Sequence, residues 1–394
     1  MSGRRLALLL AGGLAVTLSA PAAHAEIAVR SFASGPVLTA GLNSSGQLGT
    51  GTTTDSTLFV APVGSPKSAT SVATNGTTSA AVRSDGTVIV WGANPSGLIL
   101  PSAGATILSP TVVPGLSGMR SVAVGGASLY AVSTAGQVWS WGTNDQGQLG
   151  LGDTAARSVP TQVSGLSGIV RVVSSGGTVL AVTGGGTMYG WGDNSTRAAV
   201  PSSATVAVTR PTTIGSSIVG ITTGGGASFT TTTSGTVRGW GLNTCRRLGT
   251  DPATTVVTSP RTLDFGTRFV NDVSAGATSA VAIMHGGGIR TWGCNTKGEL
   301  GRTTTASVAA EGDAKARTVA GPNIVEVSVA GQSVLVRDRY KGFWVWGDNA
   351  HGQLGLTGPG MVTVPTEVTF GVVGMGVQTV AAGGVASVIV RERT

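Results

Sequence analysis

Residues 121–153 read SVAVGGASLYAVSTAGQVWSWGTNDQGQLGLGD and contain nearly all of a unit that the chain repeats. The unit consists of a Val-rich segment, a Gly-Gly turn, a second apolar segment, a tight turn and a third segment that ends in Trp141-Gly142. Short runs of β-branched residues separated by glycine turns are typical of antiparallel strands. The unit therefore predicts three strands followed by a long, glycine-rich loop.

The Trp-Gly pair recurs along the chain at intervals of 49 to 54 residues. The copies lie at Trp91, Trp141, Trp191, Trp240, Trp292 and Trp346, with Ala40 in the tryptophan position of a seventh, degenerate copy. A fourth, outer strand is expected to open at a proline after each loop, because the first residue of an edge strand tolerates the missing N–H. These prolines are Pro62, Pro110, Pro160, Pro211, Pro260, Pro365 and, in the longer sixth copy, Pro322. Four short antiparallel strands at a period near 50 residues predict a propeller blade.

Each end of the chain holds only half a unit. Residues 36–65 supply a third and a fourth strand, and residues 377–390 supply a first and a second strand. Together the two halves complete one blade, which closes the ring and removes the open edges of a linear array. The sequence thus predicts an all-β, seven-bladed propeller over residues 26–394 whose closing blade is shared by both ends.

The N-terminal 25 residues have the three parts of a secretory signal peptide. Arg4 and Arg5 precede an apolar run, and Ala23-His24-Ala25 resembles a cleavage site. The alternative is a membrane anchor, but the apolar run is short and ends at Pro21. We therefore expect a secreted protein, extracellular or associated with the cell surface.

The Trp-Gly motif is interpreted mainly as scaffold. Trp141 is expected to fill the wedge between blades, and Leu149 to pin the loop to the core. Asn144 is expected to bond its own backbone two residues on and to tolerate a left-handed conformation. The glycines of the motif are expected to permit a close backbone approach and sharp bends. They are Gly142, Gly147 and Gly150.

Two cysteines, Cys245 and Cys294, lie in equivalent loops of consecutive copies. An even pair in an exported protein indicates a disulfide. The alternative is two free thiols whose Cα atoms are too far apart to be bridged.

The repeat WG-x-N-x-x-G-Q-L-G, clearest at 141–150 and 346–355, resembles that of the regulator of chromosome condensation family of seven-bladed propellers. The resemblance covers residues 36–390. The founding member of the family that the repeat resembles exchanges nucleotide on a nuclear GTPase and docks on chromatin. Neither role is expected for an exported chain. The copies WGANPSGLILPS and WGDNSTRAAVPS lack the QLG and look more like the loops of secreted, propeller-type β-lactamase inhibitors.

No catalytic or metal-binding constellation stands out in the sequence. The mature chain has only His285 and His351, which are predicted on turns at opposite faces without ligand-spaced partners. We expect no cofactor, no nucleic-acid partner and a monomer. A hydrolase or lyase would need a charged central pocket, which the sequence does not indicate.

Binding is the favoured role, with an unidentified protein or cell-wall polymer as partner. The sixth loop, residues 302–321, is about ten residues longer than its equivalents. It is either a partner-recognition loop or a tolerated insertion. Its charged residues are Arg302, Glu311, Asp313, Lys315 and Arg317. An inhibitor of a secreted enzyme remains the narrower alternative, and it would need an exposed patch of aromatic anchors.

The mature chain carries 23 basic and 17 acidic residues. Residues 238–320 hold ten of the basic and six of the acidic residues. This excess is either a patch for an anionic partner or ordinary solvated surface, and the interleaving of opposite charges along the sequence favours ordinary surface.

Overall fold

The computed structural model describes residues 35–65, 68–251, 253–305, 313–319, 323–358, 360–370 and 376–391, and for residues 313–319 it describes only the backbone. The predicted signal peptide lies outside these residues. Seven four-stranded antiparallel sheets form the blades, numbered here by the copy of the repeat that they contain. Within these ranges, two short 3₁₀ turns, Pro95–Gly97 and Thr244–Arg246, complete the regular structure.

The strands follow the chain from the inside of each blade to its outer edge. Blade 2 holds β3 (Ala69–Thr74), β4 (Thr78–Arg83), β5 (Val88–Ala93) and β6 (Thr106–Val112). Blade 3 holds β7 (Met119–Val124), β8 (Ser128–Ser133), β9 (Val138–Gly142) and β10 (Arg157–Gln162). Blade 4 holds β11 (Ile169–Ser175), β12 (Thr178–Thr183), β13 (Met188–Asp193) and β14 (Ala207–Gly215).

The second half of the ring repeats this order. Blade 5 holds β15 (Ile218–Gly224), β16 (Ala227–Thr232), β17 (Val237–Leu242) and β18 (Val256–Thr262). Blade 6 holds β19 (Val270–Ala275), β20 (Ser279–Met284), β21 (Ile289–Gly293) and β22 (Asp313–Val319). Blade 7 holds β23 (Ile324–Ala330), β24 (Ser333–Asp338), β25 (Phe343–Asp348) and β26 (Met361–Glu367).

Blade 1 closes the ring, as predicted. It combines β1 (Val37–Gly41) and β2 (Ser56–Val60) with β27 (Val377–Ala382) and β28 (Ala386–Arg391). β1 pairs with β28 over its full length, from Val37 opposite Val390 to Gly41 opposite Ala386. β27 in turn packs against β3 and β23, so the innermost strands form an unbroken circle.

The outer strands do not open at their prolines, which is a correction to the sequence prediction. Pro110 lies within β6, opposite an irregularity where Val90 pairs with Thr111 and Gly92 with Ile107. Pro160, Pro211, Pro260 and Pro365 likewise lie inside their strands, whereas Pro62 follows the end of β2. A bulge on an outer edge is a place where a residue without an N–H loses no ladder bond.

Backbone contacts also join the blades around the central channel. The N–H of Gly126 donates to Gly176 O at 2.8 Å, and the N–H of Ala277 donates to Gly331 O at 2.8 Å. At Gly225 the approach is so close that a Cβ would lie 1.9 Å from Ala277 O. Glycine in these turns therefore lets neighbouring blades pair through their backbones.

The alternation of the strands gives the ring two different ends. We call the end with the loops between third and fourth strands, and the turns between first and second strands, the loop face. The opposite end, with the turns between second and third strands and the connections between blades, is the turn face. No helix in the described ranges combines the length and the apolar character that a bilayer span requires.

Candidate functional site

An asparagine organises each long loop of the loop face. Asn144 Oδ1 accepts the N–H of Leu149 at 2.8 Å, and its Nδ2 donates to Asp153 O and Ala155 O, both at 3.0 Å. The expected bond two residues on is wrong, and Asn144 is not left-handed. The side chain instead crosses the loop and satisfies backbone groups at its far end, which holds a longer segment than a local turn would. The equivalent asparagines are Asn43, Asn94, Asn194, Asn243, Asn295 and Asn349, each of which accepts an N–H five or six residues ahead.

In blades 2 to 7, the Trp-Gly tryptophan connects the blade to the loop of the preceding one, whereas blade 1 has Ala40 at this position. Trp191 Nε1 donates to Gln148 O at 2.9 Å, and Trp292 Nε1 donates to Arg247 O at 2.8 Å. All six Trp-Gly tryptophans are buried, as expected of residues that fill the space between sheets. Because the indole N–H is also bonded, each tryptophan fixes the position of a neighbouring loop as well as filling volume.

The rest of the motif fits the predicted scaffold role. Leu149 is fully buried, and Gln148 Oε1 accepts the N–H of Gln146 at 2.8 Å. A Cβ at Gly142 would lie 2.3 Å from Ala127 O, and one at Gly147 would lie 2.8 Å from Thr209 Cα in the next blade. At Gly150 it would lie 2.9 Å from the indole nitrogen of Trp191. These glycines are required by close approach as well as by their positive φ.

Cys245 and Cys294 form a disulfide with a Cα–Cα distance of 5.2 Å. The bond joins the loop of blade 5 to the start of the loop in blade 6. The two free thiols of the alternative interpretation are therefore excluded.

Arg247 lies beside this bridge and was not recognised from the sequence. It occupies the position of Gln148 in its own copy of the motif, and its side chain is fully buried. Its guanidinium donates to Ala277 O at 2.9 Å, Gly276 O at 3.2 Å and Leu242 O at 3.3 Å, and also to Gly225 O. Burial lowers the pKa of Arg247 to about 10. The signal in the sequence was a basic residue at a position that is glutamine in three other copies, at Gln47, Gln148 and Gln353.

The sixth loop is shorter than the sequence indicated. Asp313, Lys315 and Arg317 belong to β22, the outer strand of blade 6, because β22 pairs with β21 from Asp313 opposite Gly293 to Val319 opposite Ile289. This strand ends before Pro322, where the sequence placed its start. Arg302 bonds back to Thr291, from Nε to Oγ1 and from Nη2 to the carbonyl, both at 3.3 Å. Glu311 lies outside the described residues.

The channel carries charge that the sequence did not indicate. Arg171 Nη1 lies 3.4 Å from Asp272 Oδ2, and Arg337 Nε lies 3.1 Å from Glu326 Oε2. Thr379 also donates to Glu326 Oε1 at 2.7 Å. Arg171 and Asp272 lie on inner strands of blades 4 and 6, and Thr379 and Glu326 on inner strands of blades 1 and 7, so their separation along the sequence hides these contacts. Arg337 lies opposite Glu326 on the next strand of blade 7. Arg171, Asp272, Glu326 and Thr379 line a space of about 1350 Å³.

His285 and His351 lie on the turn face and the loop face respectively, as predicted. Within the described ranges, no three His, Cys, Asp or Glu side chains come together in a way that could hold a metal ion.

The two faces differ in charge. Outside the two channel ion pairs, the described part of the turn face has nine basic and four acidic side chains. The basic ones are Arg83, Arg120, Arg238, Arg261, Arg268, Arg290, Arg339, Lys341 and Arg391. The acidic ones are Asp85, Asp264, Asp338 and Glu367. The turn face is therefore basic, with an excess of five positive charges.

The described part of the loop face is balanced, with seven basic and seven acidic side chains. The basic ones are Arg157, Arg197, Arg210, Arg246, Arg247, Lys297 and Arg302. The acidic ones are Asp55, Asp145, Asp153, Asp193, Asp251, Glu299 and Asp348. Both faces mix opposite charges, but the excess of basic side chains among the described residues lies on the turn face.

The aromatic anchors that an enzyme inhibitor would need are largely buried. Tyr130, Phe229 and Phe343 are buried, and Phe59, Trp139, Tyr189 and Trp344 are at most partly exposed. Tyr340 is 79% exposed, but it lies on the turn face. The described part of the loop face therefore presents none of these aromatic candidates as an exposed anchor.

Comparisons with known proteins agree with this architecture. Residues 135–182 and 343–390 match the family model of the regulator of chromosome condensation (RCC1) repeat. Each match runs from the third strand of one blade to the second strand of the next, and the latter ends in β28 of the closing blade. A search of the curated proteins found no match.

Solved structures share the whole ring at low sequence identity. Yeast RCC1 (Prp20) bound to Kap60 has a TM-score of 0.82 and 18% identity, with 98% of this chain and 97% of that chain covered. Prp20p from Saccharomyces cerevisiae, described with its binding to Gsp1p and histones, has a TM-score of 0.80 and 17% identity over 93% and 94% of the two chains. Human WBSCR16 has a TM-score of 0.78 and 18% identity over 91% and 100%. The chain is therefore a seven-bladed propeller that contains RCC1 repeats at residues 135–182 and 343–390.

Proposed function

We propose that this chain is an exported, non-catalytic propeller that binds a protein partner through its loop face. The observation that carries the proposal is the construction of the long loops. All seven loops are held from inside by an asparagine, which is buried in six of them, and six of the seven loops also accept a tryptophan N–H from the neighbouring blade. The outer residues of these loops therefore stand on a rigid support. A surface that is ordered before binding loses little conformational entropy when a partner docks.

The relatives in fold support a binding role. Prp20p is described as binding Gsp1p and histones, and yeast RCC1 was solved with Kap60. Export would place the partner of this chain outside the cytoplasm, so those particular proteins are not transferred to it. A cell-wall polymer is the alternative partner.

A capture experiment with two matched variants tests the proposal. The loop-face variant S44R/S195R/A350R adds arginine at three exposed positions directly after the loop asparagines. The control S84R/A135R/T233R adds three arginines at exposed tips of the turn face and changes the net charge equally. Residues 26–394 would be immobilised and exposed to culture supernatant and to cell-wall extract.

We expect the unmodified protein and the turn-face control to capture the same protein, and the loop-face variant to lose it. If the loop-face variant still captures the protein, or if only the control loses it, the partner does not bind through the loop face. A retained wall polymer without a retained protein would replace the protein partner by the polymer.

The sixth loop can be tested separately. The apparent length of the loop in the sequence would suggest a deletion of residues 305–316. That deletion would remove the first four residues of β22. Replacing only residues 306–312 with a short Gly-Ser linker leaves the strand in place. Loss of partner capture in this variant would identify the segment as part of the binding surface, and unchanged capture would identify it as a tolerated insertion.

A β-lactamase inhibition assay addresses the narrower alternative. Because the loop face lacks an exposed aromatic anchor among the described residues, we expect no inhibition at micromolar protein. Inhibition abolished by the loop-face variant would establish the inhibitor instead.

A further inference from the structure

The turn between β24 and β25 has an unusual construction. Asp338, buried at its base, accepts the N–H groups of Tyr340 and Gly342, both at 2.8 Å, and the indole N–H of Trp344 at 3.1 Å. Its carboxylate therefore satisfies the inward-facing donors of the turn. Arg339, Tyr340 and Lys341 are all exposed at the tip.

Lys341 occupies a backbone position that glycine fills in the other turns of this kind. It has φ +71 and donates its N–H to Asp338 O at 3.1 Å. The corresponding residues of blades 2 to 6 make the same turn bond and are all glycines with positive φ, namely Gly86, Gly136, Gly186, Gly235 and Gly287. A lysine in this conformation costs about 1 kcal/mol or more relative to glycine. The side chain is therefore placed here at the expense of the local backbone.

Tyr340 is the most exposed of the large apolar or aromatic side chains in the described part of the molecule, at 79%. A ring that projects between an arginine and a lysine has the composition of residues that sit at the boundary between lipid and water. Tyrosine and tryptophan are enriched at that boundary, and neighbouring cations can reach lipid phosphates.

The surrounding charge is spread over the face instead of following one groove. The nine basic side chains come from six of the seven blades or their connections, and eight of the nine are arginines. An extended acidic chain would be matched by a stripe of basic residues, whereas a plane of negative charge is matched by a whole basic face. Arginine in particular can bind phosphate oxygens through two N–H groups at once.

We propose that the turn face docks on an anionic lipid surface, with residues 339–341 entering the headgroup layer. The proposed contact leaves the loop face pointing away from the membrane, because the two faces are opposite ends of the ring. It does not depend on the identity, or on the existence, of a loop-face partner.

Vesicle binding tests this inference directly. Residues 26–394, which include every strand of the ring, would be sedimented with phosphatidylcholine vesicles that contain or lack phosphatidylglycerol. Binding is expected only to the anionic vesicles and should fall steeply between about 0.1 and about 0.5 M salt. Lys341→Gly should weaken it about fivefold, the loss expected for one basic residue near such a surface.

The Lys341→Gly variant is informative because it relieves the backbone and is not expected to unfold the protein. Lys341→Asn is a second neutral variant that tolerates the same conformation, and it should give the same loss. Lys297→Ser removes one exposed positive charge from the loop face and should leave vesicle binding unchanged. Tyr340→Ser should weaken binding without altering net charge.

Three results would overturn the proposal. Equal binding to neutral vesicles would remove the role of charge, and equal losses for Lys341→Gly and Lys297→Ser would remove the role of the turn face. Binding to soluble polyglutamate without binding to anionic vesicles would replace the lipid surface by an extended acidic chain.

Discussion

The loop face and the turn face are built from the same repeats, yet they use polar residues in opposite ways. On the loop face, polar groups are buried and hold the backbone, as Asn144, Gln148 and Arg247 do. On the turn face, the basic side chains are exposed or partly exposed, and Asp338 is a buried polar residue that holds a turn. Polar residues of the loop face therefore determine shape, whereas those of the turn face determine the electrostatic potential.

The comparison also teaches how charge should be interpreted in a propeller. Along residues 238–320 basic and acidic residues alternate, which favours an ordinary solvated surface when the sequence is considered alone. In the ring, connections that follow one another lie at opposite ends. Sorting charges by the type of connection, instead of by position along the chain, reveals the basic face.

Opening the ring should have the largest effect, because both faces exist only while the blades are held in a circle. Deleting residues 376–394 removes β27 and β28 and leaves β1 paired only with β2. We expect the loss of cooperative unfolding in calorimetry. Deleting residues 1–25 is the control and should leave the transition intact. A C-terminally truncated protein that melts as sharply as the full chain would contradict the shared blade.

Removing the disulfide, which lies on the loop face, should cause the next largest loss of stability. C245S/C294S removes a cross-link between positions 49 residues apart, which corresponds to about 2–4 kcal/mol of unfolding free energy. Denaturant unfolding of the variant should match that of the unmodified protein in reductant. Equal stability with and without the bridge would show that the loop network alone fixes blades 5 and 6.

Replacing a buried arginine of the loop face should cost much more stability than replacing an exposed arginine of the turn face. Arg247→Ala leaves several buried carbonyls without a donor and should cost about 3 kcal/mol. Arg247→Gln restores the residue type used in other copies and should cost about half as much. Arg339→Ala on the turn face should change stability by less than about 0.5 kcal/mol. Similar losses at both arginines, measured by chemical denaturation, would erase the distinction between them.

Two residues with nearly the same φ should respond oppositely to substitution. Gly147 has φ +72 and packs against Thr209, so Gly147→Ala combines strain with a clash and should cost about 2 kcal/mol. Lys341 has φ +71 at an exposed turn, so Lys341→Gly should be neutral or stabilising by up to about 1 kcal/mol. Thermal melts of the two variants would test this, and a clear loss in Lys341→Gly would show that the lysine stabilises the turn.

The smallest expected effect concerns two exposed carboxyls. The hydrogen bond from Arg157 holds the pKa of Asp153 on the loop face below its ordinary value, and the Thr87 hydroxyl does the same for the pKa of Asp85 on the turn face. Each lowered pKa stabilises the folded state above the ordinary carboxyl pKa near 3.9, and this contribution is lost as the pH falls through the folded pKa.

Salt should distinguish these two carboxyls. Because Asp153 has a charged donor, its pKa should rise toward the ordinary value in high salt more than that of Asp85. NMR titration of the two side chains at low and high salt measures this difference. A larger rise at Asp85 would assign its lowered pKa to Arg83 instead of Thr87.

Much of the architecture follows from local features of the sequence. The seven copies, the shared blade and the positions of the buried tryptophans were predicted because strand, turn and Trp-Gly signals repeat with a constant period. The pairing of Cys245 with Cys294 followed from their equivalent positions in consecutive copies, given the expected export. These features depend on residues whose neighbours along the chain already indicate their environment.

Other features depend on contacts that the linear pattern does not encode. Arg247 of blade 5 donates to carbonyls of blade 6, and Arg171 of blade 4 pairs with Asp272 of blade 6, so both contacts need the assembled ring. Asn144 contacts the far end of its own loop, and the path of that loop is not given by the linear pattern. Proline was misplaced because a bulge inside an edge strand suits it as well as the strand's first residue does. The sixth outer strand was misplaced in another way, since Pro322 was taken as its start although β22 contains no proline and ends at Val319.

The pairing of β1 with β28 also has a consequence for the order of events during synthesis. Val37 of β1 pairs with Val390 of β28, so β1 is synthesised long before the strand with which it pairs. Until β28 has left the ribosome, β1 has an unpaired inner edge and blade 1 has no first strand. Completion of the core is therefore the last step of folding, and a nascent chain is kept from it until nearly its whole length is available.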